Sequence, residues 1–556
     1  MLRPFGRWFD KLTTGFRAGC SAPRNDGEKS PWLSSYAPHI SVVGLVLLGL
    51  ALRWVPLIRD PLHQDEALYG FWGRLISTGR DPWLATVPAD KPPLALYLIA
   101  GSQSAFGVSE FTTRLPGLAA GLLAIPLIYA LARRLYGTYG AGLAAAAVMA
   151  LTPYPVLFGA TAFTDPILIA AWLAACYAAV RGRWGWAGLM SGLAMATKQH
   201  AVLLVPLAVG LGLTQFPWRG VRGWMTWRTK GMLGRSRSAW RPGARFMLGA
   251  GSLVVIVLVW DALRVANGAT RGFWAQGVGS YGGLRLIRPA ELLPRFEGWA
   301  QLGGYLLGWP WLGVLLLVGV GLLLWRDVSD RLRSRPALVD LTLITFSVFY
   351  CLLHWLVAFP LWDRYLLPLA PVMALLLGRL VSLVSAQRPA PNTNSQALRN
   401  TSRFTLHASR ITFHVLRFTL YALPAVLLLS TGLLAAFGGI PVGGDHGAYD
   451  GLGEVVDFLR ALPVGTVLYD RWLSWHYDFY LVDAYLYRAG FPSPGWLAAD
   501  AAALYDGQPR YLVVPSWESS ARLKRALSEV GLAMSPVLTT RRRDGTRSFV
   551  VYEIRQ

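Results

Sequence analysis

A dozen apolar runs, near residues 39–57, 92–107, 115–132, 139–152, 166–180, 184–197, 200–216, 246–266, 302–325, 337–359, 365–385 and 415–437, constrain this chain more than any other feature. The longer ones match the ~30 Å hydrocarbon core of a bilayer, which about 20 helical residues cross. Inside lipid every backbone N–H and C=O has to be paired within the segment, so uninterrupted apolar runs of this length predict helices rather than a barrel. The expected fold class is a polytopic α-helical membrane protein. The first run follows 38 mostly polar and basic residues, too far into the sequence for a cleaved leader, and it is read as a retained span.

Charge supplies the orientation. A net charge of +23 would suit a nucleic-acid partner, but the basic residues gather between apolar runs, where the positive-inside rule explains them without nucleic acid. The segment 217–245 carries eight Lys and Arg and no acid, and 326–335 and 387–414 are also basic, the last being low in complexity as well. With these loops and the 1–38 tail in the cytoplasm, the loop 58–90, the loop 267–301, the turn at 359–364 and residues 438–556 face outward. Counting then conflicts between Lys91 and Thr164. Either 92–107 is re-entrant or TPYPVLFGATAF is an extra short span; the reading adopted is the second, with about 12–13 transmembrane helices.

Beyond residue 437 the pattern changes. VGTVLYD, RYLVVPS and RSFVVYEI read as buried strands, and YDGLGEVVDFLRAL and SSARLKRALSEVG show helical periodicity, so 438–556 is expected to be a small extracytoplasmic α/β domain following a 39–437 membrane domain. Cys20, Cys176 and Cys351 have no ligand-like spacing and suggest neither disulfides nor a thiolate metal site.

The external loop 58–90 sets Asp65 beside Glu66 close to lipid, with Tyr69, Phe71, Trp72 and Trp83 suited to the membrane interface. A carboxylate there is costly unless paired or hydrated. Neighbours on a helix point about a hundred degrees apart, so one acid at most faces a given pocket, and the other braces a helix, holds a cation or meets a second substrate. Lys91, before Pro92 and Pro93, suits either a phosphate at headgroup depth or snorkelling to lipid. Asp165-Pro166 reads equally as a helix cap or an external carboxylate, and Arg114 and Arg364 as span anchors or anion ligands. His63 neighbours the acids, while His200, His354 and His476 share no spacing that suggests one site. The aromatic run Trp472 to Tyr480 suits core packing better than sugar stacking.

The Asp-Glu pair, Lys91-Pro92-Pro93-Leu94, Phe106-Gly107, Thr113-Arg114-Leu115-Pro116 and Tyr-Ala-Leu-Ala-Arg-Arg-Leu-Tyr-Gly at 129–137 occur in one order. Thr164-Asp165-Pro166, Ala196-Thr197-Lys198 and Asp363-Arg364-Tyr365-Leu366-Leu367-Pro368 follow. This ordered set, over about residues 40–385, resembles glycosyltransferase family 39, the GT-C-fold group of protein O-mannosyltransferases and the aminoarabinose transferase acting on lipid A. The resemblance implies an inner-membrane enzyme that moves one sugar from a polyprenyl-phosphate carrier to a hydroxyl of a protein or lipid acceptor at the outer face, with inversion. It makes Asp65 the catalytic base and Glu66 its partner; Lys91, Asp165, Lys198, Arg114, Arg364 and Tyr365 would contact substrate. Gln199-His200 replaces the Gly-Pro that often follows the lysine in relatives, and the loop 267–301 has no histidine for a zinc site; a divalent metal is an open possibility. Two other readings are a transferase of lipid-linked oligosaccharide with the same fold and a transporter or flippase of lipid-linked sugar.

Overall fold

The computed structural model describes residues 31–215, 232–386 and 423–556, apart from 282, 284, 331, 333, 444, 505 and 506. The expected cytoplasmic tail and most of the two long basic loops lie outside these residues. Two compact units divide the chain, Met1–Ser41 and Val42–Gln556, and the second carries every candidate residue.

Among the described residues six helices are long and apolar enough to span a bilayer: His39–Arg59, Glu110–Tyr136, Arg241–Ala266, Pro310–Ser329, Arg335–Leu356 and Asp363–Val384. Five shorter apolar helices accompany them among the described residues. The chain is thus a polytopic helical membrane protein with a five-stranded C-terminal domain.

The crossing between Lys91 and Asp165 is settled by short, local signals. Pro92 and Pro93 open the helix Leu94–Phe106; Gly107, at φ 82°, reverses the chain, and Ser109 starts Glu110–Tyr136 through a capping box with Thr112. Lys91 before this helix and Arg114 after it both lie at the end of the bundle that holds Asp65, so Leu94–Phe106 returns without crossing. The other alternative, an extra span at TPYPVLFGATAF, is not formed. Pro153–Phe158 has only six residues, about 9 Å of rise. It completes the crossing begun by Tyr139–Leu151, from Tyr136, whose hydroxyl donates to Asp340, to Ala162, whose N–H donates to Glu66. Arg53, fully buried, donates to the carbonyls of Met149 and Ala150 where that first piece ends.

The turn 159–164 then lies against Gly117, where an added Cβ would stand 2.0 Å from the carbonyl oxygen of Thr161. Backbone cannot swing aside as a side chain can. Gly117→Ala is expected to destabilise the protein by about 1–3 kcal/mol and to displace Asp165; thermal unfolding in detergent together with a transfer assay checks both effects.

The C-terminal sheet has the order β2-β1-β3-β5-β4, with β1 Val467–Asp470, β2 Tyr487–Gly490, β3 Arg510–Pro515, β4 Ala533–Arg541 and β5 Arg547–Arg555. β1 runs parallel to β2 and β3, while β5 pairs antiparallel with β3 and β4. The domain docks through the helix Ser474–Tyr480 onto Gln64–Ser77. Phe479 covers Gly70, His476 Nε2 pairs with the carbonyl of Leu62 at 3.0 Å, and the Tyr480 hydroxyl donates to Glu110 at 2.6 Å. The aromatic run in the tail is thus largely packing, as its sequence suggested.

Candidate active site

The candidate residues stand where helices stop. Asp65 and Glu66 occupy the first turn of Gln64–Ser77, Lys91 precedes Leu94–Phe106, and Asp165 opens Asp165–Val180. Lys198 is the extended residue closing Trp184–Thr197, and Arg364 and Tyr365 lie in the 3-10 turn Asp363–Leu366. At such positions the backbone cannot complete its own ladder, and side chains project into the gap.

The two adjacent acids separate completely. Glu66 is 2% exposed and all its acceptor sites are engaged: Arg114 Nε and Nη2 at 2.9 and 2.7 Å, the N–H of Ala162 at 2.7 Å and that of His63 at 3.0 Å. Arg114 spends its remaining donors on the carbonyls of Leu57, Asp60 and Pro61. This clamp ties the acid-bearing helix to Glu110–Tyr136 and to the turn before Asp165. Glu66 therefore takes the bracing alternative, and Arg114, expected to contact substrate, has no donor left for one. Burial pushes the Glu66 carboxyl up, but Arg114 and the two N–H donors outweigh it and hold it below the usual range.

Asp65 points the other way and accepts from Arg364 Nη1 at 2.8 Å. Burial raises its carboxyl, and Arg364, His63 and Lys91 more than offset this, so the group stays ionised well into acid. His63 itself is the N-cap of the helix, its Nδ1 accepting from the N–H of Asp65 at 3.1 Å.

Lys91, Lys198 and Arg364, drawn from three distant segments, line one narrow cavity with Asp165, Tyr281 and Tyr365. Each cation already has a carboxylate: Asp90 at 2.5 Å from Lys91, Asp165 at 2.7 Å from Lys198, and Asp65 on Arg364. Tyrosine rings face the lysines, Tyr281 at 4.6 Å from Lys91 and Tyr365 at 4.8 Å from Lys198, and the Tyr281 hydroxyl lies 2.6 Å from Lys91 Nζ. Arg364 is sandwiched by Phe163 and Trp362, and its buried Nε has no hydrogen-bond partner. The cavity holds about 20 Å³, room for a water molecule and not for a phosphoryl group. Asp165 is not the helix cap, a position that Thr164 occupies; its side chain instead pairs with Lys198, a partner the sequence did not suggest.

Several participants were not foreseen. Tyr69 and Thr164 line the cavity, and Tyr69 and Trp72, expected at the membrane interface, are buried at 4% and 1% exposure. Tyr281 gave no signal beyond its place in the loop 267–301. His200 and His354, unrelated by spacing, stand 5.1 Å apart between ring centroids beside Tyr365. Among the described residues no group of three His, Cys, Asp or Glu is arranged to hold a metal ion.

The helical bundle, with its cationic, tyrosine-lined cavity at helix ends beside the Asp65–Arg364 pair and its small C-terminal α/β domain, has the GT-C glycosyltransferase fold. Residues 90–226 match the family model described as dolichyl-phosphate-mannose-protein mannosyltransferase. The structure aligns with ArnT from Cupriavidus metallidurans in the apo state with a TM-score of 0.58 and 19% identity, over 93% of this chain and 98% of that one. The same protein bound to undecaprenyl phosphate aligns with a TM-score of 0.53, also at 19% identity, over 92% and 97%. Two curated relatives are named undecaprenyl phosphate-alpha-4-amino-4-deoxy-L-arabinose arabinosyl transferase. That of Pseudomonas paraeruginosa is 29% identical and that of Pseudomonas aeruginosa 31% identical over 201 residues, 32% of this chain and 36% of each relative. The chain thus matches about a third of the length of these relatives.

Proposed function

We propose that this protein is a glycosyltransferase of the inner membrane that moves a monosaccharide from a polyprenyl-phosphate carrier to an acceptor hydroxyl at the external face. The observation that carries this reading is the convergence of Lys91, Lys198 and Arg364 on one cavity at the level where helices end. Three cations beside three carboxylates form a site that an incoming phosphate can take over, and a lipid-borne phosphate reaches that depth by lateral diffusion. The undecaprenyl phosphate bound to the Cupriavidus ArnT supports the choice of carrier.

In the reaction, the acceptor oxygen bonds to the anomeric carbon as the bond from that carbon to the phosphate oxygen breaks. The electron pair leaves with polyprenyl phosphate, whose growing charge is balanced by Lys91, Lys198 and Arg364. The hydroxyl proton passes to Asp65, and displacement in one step from the face opposite the phosphate, with no covalent sugar intermediate, inverts the anomeric centre. The cavity is too small for a phosphoryl group while the ion pairs are closed, so donor binding has to part them. As Arg364 turns from Asp65 to the phosphate, the carboxylate loses the partner that weakens its basicity. Donor arrival thereby readies the base, and Arg364 couples the two events. Glu66 and Arg114 act as positioning residues that keep the helix carrying Asp65 fixed.

The test is transfer in proteoliposomes supplied with an undecaprenyl-phosphate-linked monosaccharide, read as release of undecaprenyl phosphate. Wild type should turn over this donor and leave a pyrophosphate-linked oligosaccharide untouched, and Lys198→Met should raise KM for the donor at least tenfold. Turnover of the pyrophosphate donor alone, or movement of the intact donor across the bilayer without bond cleavage, would overturn the reading.

A further inference from the structure

On the other side of Asp65, against the C-terminal domain, lies a second and larger cavity of about 340 Å³. Its walls are Gln64 and Ala448 with Tyr449, Arg471, Trp472 and Trp517. The volume falls within the ~300–1,000 Å³ range of small-molecule sites.

The topology of the sheet accounts for its position. Arg471 and Trp472 follow directly on β1, and Trp517 comes two residues after β3, so both walls rise from the carboxyl ends of neighbouring parallel strands. The chain leaves β1 toward β2 on one side, while β3 leads to the antiparallel pair on the other, which makes the β1–β3 boundary the point where the strand order reverses. In open α/β sheets the connections diverge at that point and leave a crevice above the strand ends, the usual place for a ligand.

The lining indicates what kind of ligand. Trp517 is 45% exposed and Trp472 is only half-buried, whereas Trp72 on the helix Gln64–Ser77 is sealed. Tyr449 stands edge-on to Trp517 at 5.8 Å and packs tilted against His476 at 4.5 Å, which fixes its ring as a rigid wall. Arg471 is anchored by donating to the carbonyl of Pro492 at 2.6 Å. Rigid aromatic faces with a few polar groups at the edge suit a sugar ring, whose C–H faces meet the negative π clouds while its hydroxyls reach amide and guanidinium. Gln64 belongs to this cavity while the next residue, Asp65, pairs with the arginine of the donor cavity. The two cavities therefore flank the first turn of one helix.

We propose that this cavity is the acceptor site and that the acceptor presents a saccharide ring to it, Trp472 and Trp517 stacking on the ring and Gln64 directing a hydroxyl toward Asp65. This rests on the glycosyl-transfer reading above, and it narrows the acceptor to glycan-bearing molecules rather than the side chain of an unmodified peptide.

The experiment is saturation-transfer NMR on the full chain in lipid nanodiscs free of sugar detergent. The probes are N,N′-diacetylchitobiose and a Gly-Ser-Gly tripeptide, and undecaprenyl phosphate is followed separately by phosphorus line broadening. The disaccharide ring protons should be saturated by wild type, lose that signal in Trp472→Ala and in Trp517→Ala, and regain it in the Trp→Phe variants, while the tripeptide gives none. Undecaprenyl phosphate should bind all of these proteins equally, which shows that they are folded. Ring-proton signals that persist in both alanine variants, their absence in wild type, or a tripeptide signal lost with the same tryptophans would overturn the proposal. Failure of undecaprenyl phosphate to bind wild type would instead sink the donor reading, a result distinguishable from any of these.

Discussion

Replacing Asp65 by asparagine is expected to lower sugar transfer about 10²–10⁴-fold, the usual contribution of a general base. Donor binding and unfolding temperature should change little, because the carboxylate makes one side-chain ion pair and Asn still accepts a hydrogen bond from Arg364. The pH profile makes this sharper. The ionised form is the active one and its neighbours hold the carboxyl below the usual range, so wild-type kcat/KM should stay flat from neutrality through mildly acidic pH and fall only in stronger acid. Arg364→Gln removes the main stabiliser of the carboxylate, and the acid limb should move upward in pH. Near-normal turnover by Asp65→Asn would remove the base from the mechanism, and an unmoved limb in Arg364→Gln would separate Arg364 from it.

The neighbouring acid should behave in the opposite way. Arg114→Leu strands the Glu66 carboxylate, 2% exposed, without its partner. Breaking a buried pair from one side costs about 3–5 kcal/mol, chiefly through the charge left behind. The expected result is a large loss of stability with donor affinity preserved in whatever protein stays folded. Removing both charges, in Arg114→Leu with Glu66→Leu, should recover part of the loss, and a thermal double-mutant cycle measures the coupling. If Arg114→Leu instead kept its unfolding temperature and lost only donor affinity, Arg114 would be a substrate ligand after all. Two consecutive carboxylates thus predict opposite phenotypes.

That division was half legible in the sequence. Helical geometry required the two acids to diverge, and the ordered motifs gathered Lys91, Asp165, Lys198 and Arg364 as a set. Which acid faces the cavity came from the family resemblance and not from the residues themselves, because the choice depends on Arg114, 48 residues from Glu66, arriving with every donor already aimed at the first turn and the segment before it. The non-crossing helix Leu94–Phe106 was ambiguous for a related reason. Its apolar composition suits a span, and its signals for return, Gly107 and the Ser109 cap, occupy only three residues. In the C-terminal domain the buried strands β1, β3 and β5 were evident from unbroken apolar runs. β2 and β4 are largely exposed, and neither shows a periodicity that separates it from a loop. The aromatic cavity escaped notice because Trp472 and Trp517 lie far apart in sequence and meet only through parallel pairing of β1 with β3.

Exposure of β4 carries one more implication. Ala533–Arg541 is the outermost strand of its sheet, the kind of border that recruits another chain by backbone pairing. Here Pro536 removes a donor, and the register slips between Pro536 and Leu538 and again between Thr539 and Arg541. Such an interrupted border is a poor template for a neighbouring copy, so proteins crowded in one membrane can stand side by side without zipping together into fibrils.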